Sequence, residues 1–222
     1  MGTAILIDGA YFLKRYPAVI TSPAEQQPAR VAKNLFTWAL AHLKDKDGRK
    51  RDLYRIFYYD CHPLAKKAHH PLTGKAIDFA KTSTFCFRSQ LHDELRKLRK
   101  VALRFGRLGD FGGWRIRPTP LKRLLRGEIT VEDLAESDVY YSARQKGVDM
   151  RIGLDIASLA FKRQVDQIVL FAGDSDFVPA AKLARREGID FILDPMWRAV
   201  SSDLHEHIDG LRSTCPRPQH GC

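Results

Sequence analysis

The stretch Gln167 to Pro179, Gln-Ile-Val-Leu-Phe-Ala-Gly-Asp-Ser-Asp-Phe-Val-Pro, constrains this chain more than any other. Ile168 to Ala172 is an unbroken apolar run that opens with two β-branched residues. A run of that length, bounded by a turn residue, predicts a strand buried on both faces, as in a parallel sheet. Gly173 breaks the run, and two carboxylates follow at spacing two, Asp174 and Asp176. Phe177 to Glu187 has helical character and Gly188 stops it. Strand, acidic turn and helix form one unit of an open parallel α/β sheet, where ligands bind at the carboxyl ends of the strands. A single aspartate would serve as a helix cap; two flanking a serine exceed that need.

Three further strands are predicted, and each runs into a carboxylate. Thr3 to Ile7 ends at Asp8, Leu53 to Tyr59 at Asp60, and Asp190 to Leu193 at Asp194. Apolar residues at Val31, Leu35, Trp38, Ala39 and Leu43 predict a helix over 30–43. Phe85 to Lys100 reads as a second helix, and Tyr11 to Tyr16 as the start of a helix or loop. Cys61 to Lys81 is expected to be a long irregular loop. Val101 to Leu108 and Trp114 to Arg117 read as two strands of a hairpin about Gly109, Gly112 and Gly113. Pro118 to Asp138 reads as a connector with one or two short helices. Met150 to Phe161 reads as a helix that is apolar nearly all round, with Asp155 in its middle. A buried carboxylate costs several kcal/mol unless it is paired or on a metal; Arg151, four residues earlier, could pair with it. Trp197 to Leu211 is expected to be a last helix, and the residues from Ser213 onward a frayed tail.

At 222 residues with 44% hydrophobic side chains, the chain can build one sizeable core. It has no apolar run near the length of a membrane span and no signal-like start, so a complete cytoplasmic protein without a membrane partner is expected. Its four cysteines lack Cys-x-x-Cys spacing and are expected to be reduced thiols. The net charge of +11 favours a polyanionic partner, nucleic acid first. The charge is unevenly spread. Arg88 to Arg126 carries twelve Lys or Arg against three acids, whereas Glu128 to Asp138 carries five acids and no base.

If the four strands run parallel, Asp8, Asp60, Asp174 and Asp194 share one edge of the sheet, and Asp155 could lean over it. Crowded carboxylates repel and raise one another's pKa; a divalent cation removes that conflict. Oxygen-only ligands point to Mg²⁺ or Mn²⁺ rather than Zn²⁺, ions that activate water for attack at phosphorus. A basic chain with an acidic pocket is what a metal-dependent nuclease requires.

Three motifs together resemble the NYN-domain proteins of the LabA-like branch, within the PIN-like superfamily of metal-dependent ribonucleases. They are Ile5-Leu-Ile-Asp-Gly-Ala10, Lys146-Gly-Val-Asp149 leading through Asp155, and Ala172-Gly-Asp-Ser-Asp-Phe-Val-Pro179. The resemblance runs from Ala4 to about Leu193. It implies a Rossmann-like three-layer α/β/α sandwich with a mostly parallel central sheet. It implies an acidic site built from Asp8, Asp149 or Asp155, Asp174 and Asp176, with Lys146 on phosphate or on a carboxylate. Many members carry Asn in Asp-Gly-x-Asn, where this chain has Tyr11.

The resulting expectation is one domain over 1–211, with a basic insertion at about 61–126 and a flexible tail over 212–222. Its function would be hydrolysis of single-stranded or structured RNA with Mg²⁺ or Mn²⁺. Asp8, Asp155, Asp174 and Asp176 would be catalytic and hold the ion, with Asp149 beside them. Arg96, Lys97, Arg99, Lys100, Arg115 and Arg117 would contact the RNA backbone. A homo-oligomer or a regulatory protein partner is compatible with the apolar residues of Phe85 to Leu98. The alternatives are an RNA-binding module with little turnover, which Tyr11 favours, and a small-molecule phosphate enzyme, which the charge clustering disfavours. Gly106 to Gly113 lacks the spacing and the helix of a dinucleotide fingerprint, and Thr73-Gly-Lys75 lacks the upstream glycine of a phosphate loop. The sets Cys61, His62, His69, His70 and His205, His207, Cys215, His220, Cys222 match no standard zinc spacing.

Overall fold

The computed structural model describes residues 2–44, 48–109 and 113–218. In chain order the first elements are β1 (Gly2–Asp8), α1 (Gly9–Val19), α2 (Pro28–Ala41), β2 (Leu53–Asp60), β3 (Lys67–His69), β4 (Ala76–Asp78), α3 (Ser83–Arg96) and β5 (Val101–Phe105). Then come β6 (Arg107–Gly109), β7 (Trp114–Ile116), α4 (Pro118–Leu125), β8 (Val139–Tyr141), β9 (Arg144–Lys146) and α5 (Val148–Phe161). The chain closes with β10 (Val165–Phe171), α6 (Val178–Arg186), β11 (Asp190–Asp194), α7 (Ser202–Glu206) and β12 (Gly210–Leu211).

The central sheet has the order β12-β11-β10-β1-β2-β5, and every neighbouring pair is parallel. Strands of such a sheet are covered on both sides, which is why β1 and β10 are nearly continuous apolar runs. Alternation divides β1 between two cores. Ile5 and Ile7 join Phe12, Tyr16, Leu35, Trp38 and Leu91 on the face of α1, α2 and α3. Ala4 and Leu6 join Ile152, Ile156, Ala181 and Phe191 on the face of α5 and α6. Each of the fully buried Ile, Leu and Phe side chains contributes about 1.5–3 kcal/mol of transfer free energy. The chain thus forms a mixed α/β fold with a largely parallel central sheet between helices.

Local chemistry starts these helices where the strands stop. Asp8 caps α1, its Oδ1 accepting from Ala10 N at 2.9 Å and Tyr11 N at 3.1 Å. Gly9 follows because a Cβ there would lie 2.6 Å from the Tyr59 carbonyl oxygen and from the Tyr58 ring. Gly9→Ala is expected to cost about 1–3 kcal/mol as overpacking against backbone, read as a lower urea midpoint; an unchanged midpoint would show that α1 can shift. Gly147 precedes α5 at φ 74°, a left-handed conformation that suits glycine.

Several sequence expectations are corrected here. β5 and β7 form no hairpin. β5 joins the central sheet, β6 pairs with β9, and β7 pairs with β8; Gly112 lies outside the described residues. Hairpin signals are local, but the partner of β5 is the upstream β2, and those of β6 and β7 lie far downstream, at Lys146 and Tyr140. The long loop after Cys61 contains the β3–β4 pair. α5 is apolar nearly all round but not buried all round, because Met150, Leu154 and Phe161 are exposed. The last helix is cut to five residues, and Gly210–Leu211 instead adds an edge strand. The chain after Ser213 is tied down at its start: Thr214 Oγ1 donates to the Trp38 carbonyl and Cys215 is buried.

Candidate active site

The chain leaves β1 towards β2 and β5 and later returns to β10 on the other side of β1. The order therefore reverses between β1 and β10, and the crevice at such a switch point is where open α/β sheets bind ligands. Asp8 ends β1, and Ile7 is in register with Phe171, three residues before Asp174. Asp149 lies in the first turn of α5. Asp174 accepts from Asp176 N at 3.2 Å, which folds the acidic turn on itself. A cleft of about 420 Å³ opens there, lined by Asp8, Tyr11, Lys14, Asp174, Arg198 and Ser201 among others.

Electrostatics link four of the acids. The Asp8 carboxyl is pushed up to about 6, first by burial and then by the charges of Asp149 and Asp60, against the lowering effect of its two backbone hydrogen bonds. Asp149 is also raised, by burial and by the charges of Asp174 and Asp176. Asp174 and Asp176 themselves are exposed.

The other strand-end acids are engaged elsewhere. Asp60 is fully buried and accepts from Cys61 N, from Arg88 Nη1 at 2.7 Å and from Gln145 Nε2 at 2.7 Å; His92 Nε2 lies 2.8 Å from its other oxygen. Asp194 is fully buried, with His42 Nε2 at 2.9 Å, and accepts from Met196 N and Thr214 N. Asp155, like Asp149 and Asp176, is not among the residues that line the cleft, and it is held in an ion pair. Arg104 grips it with Nε at 2.9 Å and Nη2 at 2.6 Å, and Tyr59 donates its hydroxyl at 2.8 Å. Its partner is thus Arg104 rather than Arg151.

Among the described residues, no three His, Cys, Asp or Glu side chains converge as a ready metal site. His220 and Cys222 lie outside those residues. Asp8 and Asp174 line the cleft, and Asp149 feels the charges of Asp174 and Asp176 and acts on Asp8; carboxylate oxygens are the donor chemistry that suits a hard divalent cation.

The predicted basic residues separate into two places. Lys97 to Lys100 lie where α3 hands over to the amino end of β5, the edge opposite the cleft, whereas the Arg96 guanidinium reaches over the Phe105 ring at 5.8 Å, at the carboxyl end of β5. Arg96 pairs with Asp93, Lys97 with Glu94, and the Lys100 ammonium with the Leu53 carbonyl. Lys146, exposed, ends β9 three residues before Asp149. Arg115 and Arg117 lie at β7, with Arg117 over the Tyr140 ring and donating to the Ser137 carbonyl. Sequence reading missed Lys14 and Arg198. The available signal was position: both follow strand-end aspartates, and chain that leaves a parallel strand stays at its carboxyl edge.

Tyr11 is a wall of the cleft. Its hydroxyl donates to the Pro195 carbonyl at 2.7 Å, and burial pushes the phenol up to about 12. A Cβ on Gly173 would meet this ring at 2.6 Å, so the glycine of the acidic turn makes room for Tyr11.

One solved structure, of a protein of unknown function from Vibrio parahaemolyticus, is 16% identical with a TM-score of 0.49, over 95% of this chain and 90% of that one. No curated protein matches. The NYN domain model matches residues 76–207, a span that holds Asp149, Asp174 and Asp176 and leaves Asp8 outside it. That span is more than half of the 222 residues, and the chain belongs to the NYN domain family.

Proposed function

We propose that this protein is a Mg²⁺- or Mn²⁺-dependent ribonuclease of the LabA-like NYN branch, with its reaction centre in the cleft between β1 and β10. The observation that carries the reading is the gathering of acids at the topological switch point, where burial first, and then the charges of Asp149 and Asp60, push Asp8 to about 6. A bound divalent ion would supply charge neutralisation and activation of water at phosphorus. Asp8, Asp149, Asp174 and Asp176 are the residues to hold it. Asp155 keeps α5 on β2 and β5 through Arg104 and Tyr59. Lys14 and Arg198, with the hydroxyls of Ser175 and Ser201, line the cleft and would orient the phosphodiester.

The test is cleavage of labelled single-stranded RNA with Mn²⁺, Mg²⁺ or EDTA. Wild type should cleave, EDTA should stop it, and Asp174→Asn should lower the rate at least about 100-fold while binding persists. Asp155→Asn, which can still accept from Tyr59, should retain most of the rate. Cleavage that survives Asp174→Asn would sink this assignment. A second reading, an RNA-binding module without turnover, is favoured by the open spacing of the acids and by Tyr11. It predicts no cleavage with affinity that falls steeply with salt.

A further inference from the structure

Three cavities are neighbours through shared lining residues. The acidic cleft and a cavity of about 640 Å³ meet at Ala10. That cavity and a third, of about 430 Å³, share Thr84 and Arg88. The acidic cleft and the middle cavity are therefore neighbours with Ala10 as a common wall.

The middle cavity differs in chemistry from the cleft. Phe79, Phe85 and Tyr141 line it, and none of these rings is fully buried. Phe79 and Tyr141 have centroids 5.0 Å apart, and Trp114 meets Tyr141 edge-on at 5.5 Å. The Lys66 ammonium sits 5.3 Å from the Tyr141 ring centre, which places a cation at the rim. Gln145 adds directional polarity. Its Nε2 donates to Asp60, and because a carboxylate accepts, the amide is oriented with its carbonyl oxygen as the remaining acceptor.

We propose that this aromatic cavity is a subsite for one unpaired nucleobase of single-stranded RNA, adjacent to the acidic cleft. The proposal deepens the nuclease reading and rests on it for the identity of the polymer. Every base has a π face that stacks on aromatic rings, and this is how proteins hold single strands. The volume lies within the range of ligand pockets. The Gln145 carbonyl can accept from a base N–H, and Lys66 and the net charge of +11 complement the phosphates. A base inside a duplex is stacked and paired and cannot enter, so the cavity selects single strands.

The experiment measures binding in EDTA, where nothing is cleaved, by fluorescence anisotropy of a labelled single-stranded RNA. An abasic site is moved along the strand one position at a time. Wild type should lose about 5- to 150-fold in affinity at one position. Tyr141→Leu, which keeps bulk but removes the ring, should bind intact and abasic strands nearly equally. This comparison is internal to each protein and needs only that the variant is folded, checked by thermal unfolding. A loss below about 2-fold at every position, or equal affinity for the same sequence as a duplex, overturns the subsite. A protein that cleaves without a base-dependent position loses the subsite alone. One with such a position and no cleavage keeps the subsite and loses the nuclease reading. Absence of RNA binding overturns both.

Discussion

Asp8→Asn is expected to stabilise the cation-free protein above pH 6 while removing RNA cleavage. The folded state holds the Asp8 proton up to about pH 6, whereas the unfolded chain releases it near the ordinary value of 3.8. The folded state therefore binds more protons between these values, and stability contributed by Asp8 falls as pH rises through the window from 3.8 to about 6. The difference between 3.8 and about 6 corresponds to roughly 3 kcal/mol as an upper bound. Asparagine carries no charge to desolvate, and its side-chain oxygen can still accept from Ala10 N and Tyr11 N as an N-cap. In EDTA, the wild-type melting temperature should decline from pH 4 to pH 7 more than that of Asp8→Asn. Mg²⁺ or Mn²⁺ should restore the wild type and leave the variant unchanged. A variant less stable than wild type at pH 7.5 in EDTA would show that the Asp8 charge is compensated in the fold. The expected result, a variant more stable and inactive, is a trade of stability against activity at one carboxyl, as for a site kept charged for function.

Asp60→Ala is expected to have the largest effect on folding. The Asp60 carboxyl is the acceptor at which Arg88 and His92 of α3 and Gln145 of β9 meet. Removing it leaves His92 buried and Arg88 largely shielded from solvent without their shared partner. Breaking a buried pair from one side costs about 3–5 kcal/mol. That is a large fraction of the roughly 5–15 kcal/mol that holds a domain folded. The urea midpoint at pH 7 should fall accordingly, and a loss below about 1 kcal/mol would contradict the hub assignment. Asp174→Asn, on an exposed turn, should leave the same midpoint nearly unchanged. The pair of variants separates an aspartate that holds the fold from one that serves the cleft.

The elements legible in the sequence were those with local signals. β1, β2, β10 and β11 announce themselves as apolar runs closed by Asp, and α2 and α3 by their periodicity. The short strands β6 to β9 were not legible, since strands of three residues carry too little pattern and gain definition only from their partners. The exposure of Met150, Leu154 and Phe161 was equally hidden, because periodicity shows which residues are apolar and not whether a neighbour covers them.

The acidic site divides the same way. The sequence by itself determined that several parallel strands deliver an aspartate to one edge, because a buried run followed by a carboxylate is a property of adjacent residues. Which aspartates stay available was decided only in the tertiary structure. Asp60 meets Gln145 from 85 positions away, Asp155 meets Arg104 from 51, and Asp194 meets His42 from 152. Each of those partners satisfies a carboxylate that would otherwise be costly to shield from water. Asp8, Asp149, Asp174 and Asp176 meet like charges instead. A carboxylate reads the same in sequence whether it will face an arginine or another acid; strand order and helix placement bring the partner, and with it the distinction between a paired charge and one left among like charges.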